Sequence, residues 1–169
     1  MGVGNADYGD DGLGLQLAQA VAERSRECSR GPVVIDAGVT PERFLGRVSE
    51  GGYDSLVFLD AVEFGGMPGS VLVANSEEMV ARFPQISTHK IALGTLARWV
   101  EASGKTKAWL LGVQPESLKM GQGLTPTVQE TLEVLEELLC ERWREETEGG
   151  EKSPLPDDER LAGRPSAEV

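Results

Sequence analysis

Several features are scarce or missing in this chain, and each absence narrows what the chain can do. The two cysteines, Cys28 and Cys140, stand far apart and outside any CxxC pair, which argues against a disulfide framework or a thiolate zinc site and fits a reducing cytoplasm. No basic segment followed by an apolar run opens the chain, and no apolar stretch approaches the ~20 residues that span a bilayer. We therefore expect a soluble cytoplasmic protein.

Positive charge is also scarce. Lys and Arg number 16 against 28 Asp and Glu, so the net charge of -12 repels nucleic acid and anionic membrane surfaces. Proteins, cations and basic peptides are the more suitable partners. With 169 residues, 40% of them hydrophobic, the chain can bury one core. We predict one α/β domain over residues 1–148 and a disordered, acidic, Gly/Pro-rich tail over residues 149–169.

Apolar runs alternate with helical patterns along the domain. "VVID" and "SLVFLD" are predicted buried strands that end at Asp36 and Asp60, and "VLVA" and "AWLLGV" are predicted strands further on. Helices are predicted from about Gly12 to Glu27, after Thr40-Pro41, from Ser76 to Phe83, from Ser87-Thr88 to Gly104, and after Thr125-Pro126. This alternation predicts a three-layer, mostly parallel twisted sheet flanked by helices.

Acidic residues follow the predicted strands and are joined by the only histidine. Asp10 and Asp11 lie in the first loop, Asp36 and Asp60 end strands, and His89 opens a helix. Because ligands of open α/β sheets bind at the carboxyl ends of the strands, these side chains are expected at one rim. Several carboxylates there favour a bound cation, and oxygen ligands plus one imidazole suit nickel or zinc without choosing between them.

Two simpler interpretations stand beside the metal site. An isolated Asp in a loop is more often a cap or turn residue, and a single His at a helix start is more often structural or exposed. The glycine-rich opening "MGVGNADYGDDGLG" could instead suggest a phosphate cradle. However, Asp7 stands where GxGxxG requires its third glycine, almost no strand precedes the loop, and GxxxxGK[ST] is absent. No GxSxG elbow occurs either.

The motifs resemble, in order, those of the endopeptidases that mature the large subunit of nickel-iron hydrogenases. "GVGNADYGDDGLG" is similar to that family's GxGN and D-[DE]-G-x-G elements, "VIDAGVTPE" to its Asp-Gly-Gly segment, and "VFLDAVEFGGMPGS" to its strand aspartate and Gly-Gly-x-Pro-Gly turn. "ISTHKIALG" resembles its histidine segment, and "GVQPESLKMGQGLTPTV" its Pro-Glu-Ser and Gly-Leu-Thr-Pro elements. The resemblance covers roughly Gly2 to Leu139.

The resemblance implies a metal-contacting set of Asp11, Asp60 and His89. It also implies that nickel arrives inside the hydrogenase large-subunit precursor, and that the protease senses this nickel before removing a C-terminal extension. We expect a monomer that acts on this precursor. Asp36 is a candidate general base, because no Ser or Cys nucleophile constellation is visible. A non-proteolytic metal-sensing or chaperone-like module is the alternative that the sequence leaves open.

Two departures from the family pattern stand out. Ala37 replaces a glycine of the Asp-Gly-Gly segment. Only Met1 to Val3 precede GxGN where the family has an apolar strand, so the first strand is apparently truncated. Losing several buried aliphatic residues, each worth about 1.5–3 kcal/mol, is expected to compromise the sheet unless the true start lies upstream.

Overall fold

The fold was analysed in a computed structural model that describes residues 1–27, 31–82, 92–102 and 104–148. Five strands lie in this part of the chain: β1 (Gly2–Val3), β2 (Asp36–Gly38), β3 (Ser55–Ala61), β4 (Val71–Asn75) and β5 (Lys107–Val113). They alternate with five helices: α1 (Leu13–Arg24), α2 (Leu45–Glu50), α3 (Ser76–Arg82), α4 (Leu93–Ala102) and α5 (Pro126–Glu148). Short 3₁₀ turns cover Gly9–Gly12, Ser25–Glu27 and Pro41–Phe44.

The strands form one sheet in the order β2-β1-β3-β5-β4. β1 is parallel to both β2 and β3, β3 is parallel to β5, and only β4 runs antiparallel, beside β5. The prediction of a mostly parallel α/β sheet is therefore confirmed. β4 could run antiparallel because the "FGGMPGS" segment folds the chain back directly after β3, without a crossover helix.

Apolar side chains cover both faces of the sheet, which accounts for the three layers. On one face, Phe58 and Leu110 pack with residues of α2 and α4, including Val48, Leu96 and Val100. On the other face, Leu59 and Leu111 pack with α1 and α5. The second halves of β3 and β5 are buried on both faces because helices lie on both sides, whereas Val57 and Trp109 nearer their starts are exposed.

The predicted "VVID" strand is wrong in its position. Residues 31–35 belong to no strand, the side chain of Val33 is 58% exposed, and β2 starts at Asp36 rather than ending there. The physical reason is that β1 contains only two residues, so within β2 it pairs with Asp36 and Gly38, and the Gly2 amide donates to the Ile35 carbonyl at 2.8 Å. The ladder beside β1 therefore ends at Ile35.

The short β1 is nevertheless built into the centre of the sheet. Val3 is fully buried, Leu59 donates its amide to the Met1 carbonyl at 2.9 Å, and the Met1 amino group donates to the Val57 carbonyl at 2.8 Å. Burial lowers the pKa of that amino group to about 6. The expected shortness of the first strand is thus confirmed, and the sheet keeps its five-strand order around it.

Helix ends differ in detail from the predictions. α1 ends at Arg24 and its last turn tightens into a 3₁₀ turn at Ser25–Glu27, while the Thr40 side chain makes no capping hydrogen bond. Phe83, Ser87, Thr88, His89 and the tail from residue 149 lie outside the described residues. Among the described helices, none combines the length and apolar character needed to cross a membrane.

Candidate active site at the carboxyl edge of the sheet

The glycine-rich first loop, residues 4–12, directs its backbone amides to acceptors of the protein itself. Asn5 donates to the Asp11 carbonyl, Tyr8 to the Asn5 carbonyl, and Asp11 to the Tyr8 carbonyl, at 3.1 to 3.2 Å. The Asp7 amide is held by Asn5 Oδ1 at 3.0 Å. A phosphate cradle needs amides that point at the ligand. Because these amides already have acceptors within the protein, they are not available to an anion.

Gly4 shows why this loop is rich in glycine. Its φ is +132°, and a Cβ there would stand 1.9 Å from the Asp11 carbonyl oxygen. Only glycine combines that backbone conformation with so close an approach. The glycine therefore fixes the position of Asp11 against the end of β1.

Asp10 is a structural anchor of the rim. It is fully buried, and its carboxylate accepts hydrogen bonds from the amides of Glu116, Ser117 and Thr125 at 2.6 to 2.9 Å and from Thr125 Oγ1 at 3.0 Å. Its own amide donates to the Ser117 carbonyl at 2.9 Å. Charge-assisted bonds of this kind are the strong ones. Asp10 therefore ties the first loop to the loop between β5 and α5.

Asp11 and Asp60 are the two buried carboxylates that the sequence assigned to the metal-contacting set. Their exposed fractions are 4% and 2%. Asp11 lies in the 3₁₀ turn Gly9–Gly12, which packs against β3, the strand that contains Asp60. The fold thus brings the Asp11 turn and the Asp60 strand together, as the convergence argument expected. Helix α1 starts directly after this turn, so Asp11 lies at its positive amino-terminal end.

Asp36 lies differently from the other acids. It is the first residue of the edge strand β2, it is exposed, and its Oδ1 accepts a hydrogen bond from the Gly38 amide at 3.1 Å. Gly2 pairs with both Asp36 and Leu59, so the three residues lie in one row across the sheet. With strands ~4.8 Å apart, the Cα atoms of Asp36 and Leu59 are about 10 Å apart. Asp36 is therefore on the same rim as Asp60 but open to solvent.

Gln114 is a rim residue that the sequence reasoning missed. It follows β5 directly, is 8% exposed, and its Oε1 accepts the amides of Phe64 and Gly66 at 2.9 and 3.2 Å. Its carbonyl accepts the Gly69 amide at 2.9 Å. Gln114 thereby shapes the "FGGMPGS" turn that follows Asp60. Its position directly after a buried parallel strand was the available signal, since such positions converge on the rim.

The third residue of the expected set, His89, lies outside the described residues. Within residues 1–27, 31–82, 92–102 and 104–148, no group of three or more His, Cys, Asp or Glu side chains is arranged to hold a metal ion. Asp11 and Asp60 alone supply two carboxylates, which are hard oxygen donors that suit a divalent ion when other ligands complete its shell.

Comparison with known proteins gives the same assignment. The family model for hydrogenase maturation proteases matches residues 16–142. The chain belongs to the hydrogenase maturation protease family. The hydrogenase 2 maturation protease of Escherichia coli K12 is 32% identical over 145 residues, which are 83% of this chain and 87% of that protein.

Solved structures agree with the family assignment. A [NiFe] hydrogenase maturation protease from Thermococcus kodakarensis superimposes with a TM-score of 0.73 at 28% identity, covering 85% of this chain and 89% of the other. The hydrogenase maturating endopeptidase HybD from E. coli gives a TM-score of 0.71 at 30% identity, covering 85% and 90%. The family resemblance, the fold class and the enzyme class expected from the sequence, a hydrogenase maturation peptidase, are confirmed.

Proposed function

We propose that this protein removes the C-terminal extension from the large-subunit precursor of a nickel-iron hydrogenase after it has sensed nickel in that precursor. The observation that carries the proposal is the placement of the buried carboxylates Asp11 and Asp60, whose turn and strand pack together. Family membership supports the substrate class. In this proposal the nickel is part of the substrate, the protease acts as a monomer in the cytoplasm, and His89 completes the contact set.

Asp11 and Asp60 suit the sensing role because of where they lie. Two buried carboxylates close to one another are costly as a pair of anions, and a divalent cation lowers that cost. A precursor with nickel therefore binds more tightly than one without it. The difference between the two affinities supplies the selection for loaded precursor.

Asp36 is our candidate for the general base that activates the attacking water. Both carboxylate oxygens of Asp10 accept hydrogen bonds from the loop between β5 and α5, and Asp11 and Asp60 are buried. Asp36 is exposed on an edge strand, where a substrate peptide and a water have access to it. A carboxylate within hydrogen-bond reach of water is the minimum requirement for this step. The proposal therefore describes an aspartyl-type peptidase.

The sensing role is tested with Asp11→Asn and Asp60→Asn, and with Asp7→Asn as the control in the same loop, where the side chain is exposed. Each variant is mixed with nickel-loaded and nickel-free precursor, and the released C-terminal peptide is measured by mass spectrometry. We expect the two buried variants to lose the preference for loaded precursor and the control to keep it. Unchanged preference in both buried variants refutes the sensing role.

The catalytic role is tested separately with Asp36→Asn, and Asp54→Asn serves as a second exposed aspartate away from the rim. We expect Asp36→Asn to bind loaded precursor with unchanged affinity and to cleave it at least about 100-fold more slowly, as is typical when a general base is removed. Processing at the normal rate excludes Asp36 as the base and leaves the sensing role intact.

A further inference from the structure

An apolar groove lies beside β4, at the edge of the sheet opposite β2. It has a volume of about 600 Å³ and lies between β4 and α5. Val71 of β4 contributes to one wall, and Val134 and Leu138 of α5 contribute to the other. These three apolar side chains are 44%, 56% and 56% exposed. Contiguous exposed apolar surface of this kind marks interaction sites more often than isolated exposed side chains do.

The wall formed by β4 includes a free strand edge. In the described part of the chain, β4 pairs with β5 on one side and with no strand on the other. The Gln114 amide donates to the Ser70 carbonyl at 2.9 Å, which fixes the phase of this antiparallel ladder. Leu72 therefore exchanges hydrogen bonds with β5, whereas the amides and carbonyls of Val71 and Val73 are directed away from β5.

This edge lacks the features that usually prevent strand addition. Exposed edge strands commonly carry charged residues or prolines, and Val71–Ala74 contains neither. The free edge ends at Asn75, whose amide donates to Glu78 Oε2 at 3.1 Å. The opposite edge strand, β2, has only three residues and begins with the exposed Asp36. β4 is therefore the edge that is suited to accept a further strand.

Acidic side chains border the groove on its outer side. Glu130 lines it, and Val134, Glu137 and Glu141 follow at i+4, i+7 and i+11 on the same stripe of α5. The three glutamates are exposed, so a basic residue in the occupant is complementary to them. A second copy of the chain is not, because two β4 edges paired about a two-fold axis would place both acidic stripes on one face of the joined sheet.

The groove is continuous with the rim. β4 starts there, since Ser70 is bonded to the rim residue Gln114, and α5 starts there, since Thr125 directly before it is bonded to Asp10. We propose that the groove binds the C-terminal extension of the hydrogenase precursor as a strand added parallel to β4, an inference that rests on the function proposed above. In that function nickel contacts the rim and the extension ends the precursor chain. The extension therefore leaves the rim in its amino-to-carboxyl direction, which is also the direction of β4.

Distances determine which part of the extension reaches the groove. Asp36 on β2 and a strand added beside β4 are five strand spacings apart in the sheet order, about 24 Å at ~4.8 Å each. About seven extended residues at ~3.3 Å span this distance. The groove follows α5 from Thr127 to Leu138, about 17 Å, and accommodates about five extended residues. The segment we infer directs apolar side chains toward α5 and includes a Lys or Arg.

The location is tested with two valines of similar exposure, Val134 in the groove and Val33 before β2, which are 56% and 58% exposed. With nickel-loaded precursor, Val134→Gln should raise KM at least about tenfold at unchanged kcat, because an amide replaces an apolar contact, and Val33→Gln should change neither constant. Both variants should keep the preference for loaded precursor. An unchanged KM in Val134→Gln refutes the groove, and a retained preference shows that the sensing role stands without it.

The added strand is tested with Val73→Pro. Because the Val73 amide is directed away from β5, proline removes no hydrogen bond of the sheet, and the thermal unfolding midpoint should be unchanged. The same change removes a donor to the extension, so KM should rise about 2–10-fold. A folded Val73→Pro protein with unaltered KM refutes strand addition.

The contribution of charge is tested with Glu130→Lys, and Glu50→Lys on α2 is the control because it changes the net charge equally on the other face of the sheet. We expect KM to rise at least about threefold for Glu130→Lys and to stay within twofold for Glu50→Lys. Equal increases in the two variants would reflect the net charge alone and overturn the assignment of a basic residue beside Glu130.

A precursor whose extension is shortened to three residues identifies the occupant. Three extended residues span about 10 Å, which is less than the distance to the groove. Val134→Gln should therefore leave the KM for this precursor unchanged. An increase as large as with the full extension shows that another part of the precursor occupies the groove and overturns the proposal. So does sedimentation velocity that finds a dimer for the unaltered chain and a monomer for Val134→Gln, since the groove is then a contact between two copies.

Discussion

Replacing Gly14 by alanine should destabilise the protein far more than the same change at Gly46, although both glycines are helical. A Cβ at Gly14 would lie 2.1 Å from the Leu59 carbonyl oxygen and 2.3 Å from the Val3 carbonyl oxygen, whereas a Cβ at Gly46 meets nothing within 4 Å. Ordinary contact begins at 3.4 Å, so relief at Leu59 requires α1 to withdraw by 1.3 Å (3.4 − 2.1). Both obstacles are backbone atoms of central strands, which cannot rotate away.

The size of the effect follows from competing terms. Alanine in a helix interior gains roughly 0.5–1 kcal/mol over glycine, which should appear undiminished in Gly46→Ala. Overpacking a core costs about 1–3 kcal/mol and occasionally more. At Gly14 two backbone contacts must be relieved and α1 loses packing along β1 and β3. We therefore expect Gly14→Ala to lose at least about 3 kcal/mol out of a total of ~5–15 kcal/mol.

Urea unfolding followed by far-ultraviolet circular dichroism measures the difference between the two variants. Gly14→Ala should shift the midpoint to lower urea with an unchanged slope, and Gly46→Ala should shift it slightly upward. Precursor processing should fall in Gly14→Ala as well, because α1 begins at Leu13, directly after the turn that contains Asp11. A Gly14→Ala protein as stable as Gly46→Ala would refute the close approach of helix and sheet.

Three further predictions concern charged groups. Asp10→Ala should destabilise the protein by about 3–5 kcal/mol, because it removes a fully buried carboxylate that accepts charge-assisted hydrogen bonds from Glu116, Ser117 and Thr125. Thermal unfolding measures this loss, with Asp7→Ala as the control. In the chain that begins at Met1, the folded pKa of the amino group is lowered from 8.0 to about 6, so the free energy of unfolding should decrease by roughly 2 kcal/mol as the pH falls from 8 to 6. Acetylating the amino group should remove this dependence. The pKa of Glu101 is lowered by hydrogen bonds from Ser76 and Ala108, so the stabilisation that its carboxylate provides should be present above pH ~4.5 and lost as the pH falls further. Glu101→Gln should abolish this acid sensitivity of the free energy of unfolding, and the exposed control Glu50→Gln should retain it.

Much of the fold was predictable because local apolar periodicity and turn residues indicate where each helix and strand begins and ends. β3, β5 and α5 appear in the sequence with their boundaries nearly right, since each has a long apolar run or stripe bounded by Gly, Pro or an acid. The "VVID" segment failed for a reason that no local pattern contains. Whether residues 31–35 pair depends on how far β1 extends beside them, and that is a property of another part of the chain.

The site was predictable in outline and less so in its division of roles. The turn that contains Asp11 packs against the strand that contains Asp60, as the convergence of strand ends predicts, while the role of these two residues stays a prediction. Asp10 and Asp11 are adjacent acids in the sequence, yet it is Asp10 that anchors a loop through four hydrogen bonds. The donors of these bonds lie more than 100 residues away, so no local pattern distinguishes the two acids. The opening glycines suggested a phosphate loop. In the structure, Gly14 allows helix α1 to pack closely against the sheet, and Gly4 adopts a positive φ.

The anchoring of Asp10 has a consequence for how the protein becomes active during its synthesis. Its hydrogen-bond donors follow it by 106 to 115 positions in the chain. At ~5–20 residues per second, a ribosome needs about 5–20 s to add those residues after Asp10 has been made. Throughout that interval the first loop has no anchor, because the segment that holds it does not yet exist. A nascent chain therefore cannot present an assembled rim to its precursor substrate, and maturation of the hydrogenase must wait for a peptidase whose own chain extends at least to Thr125.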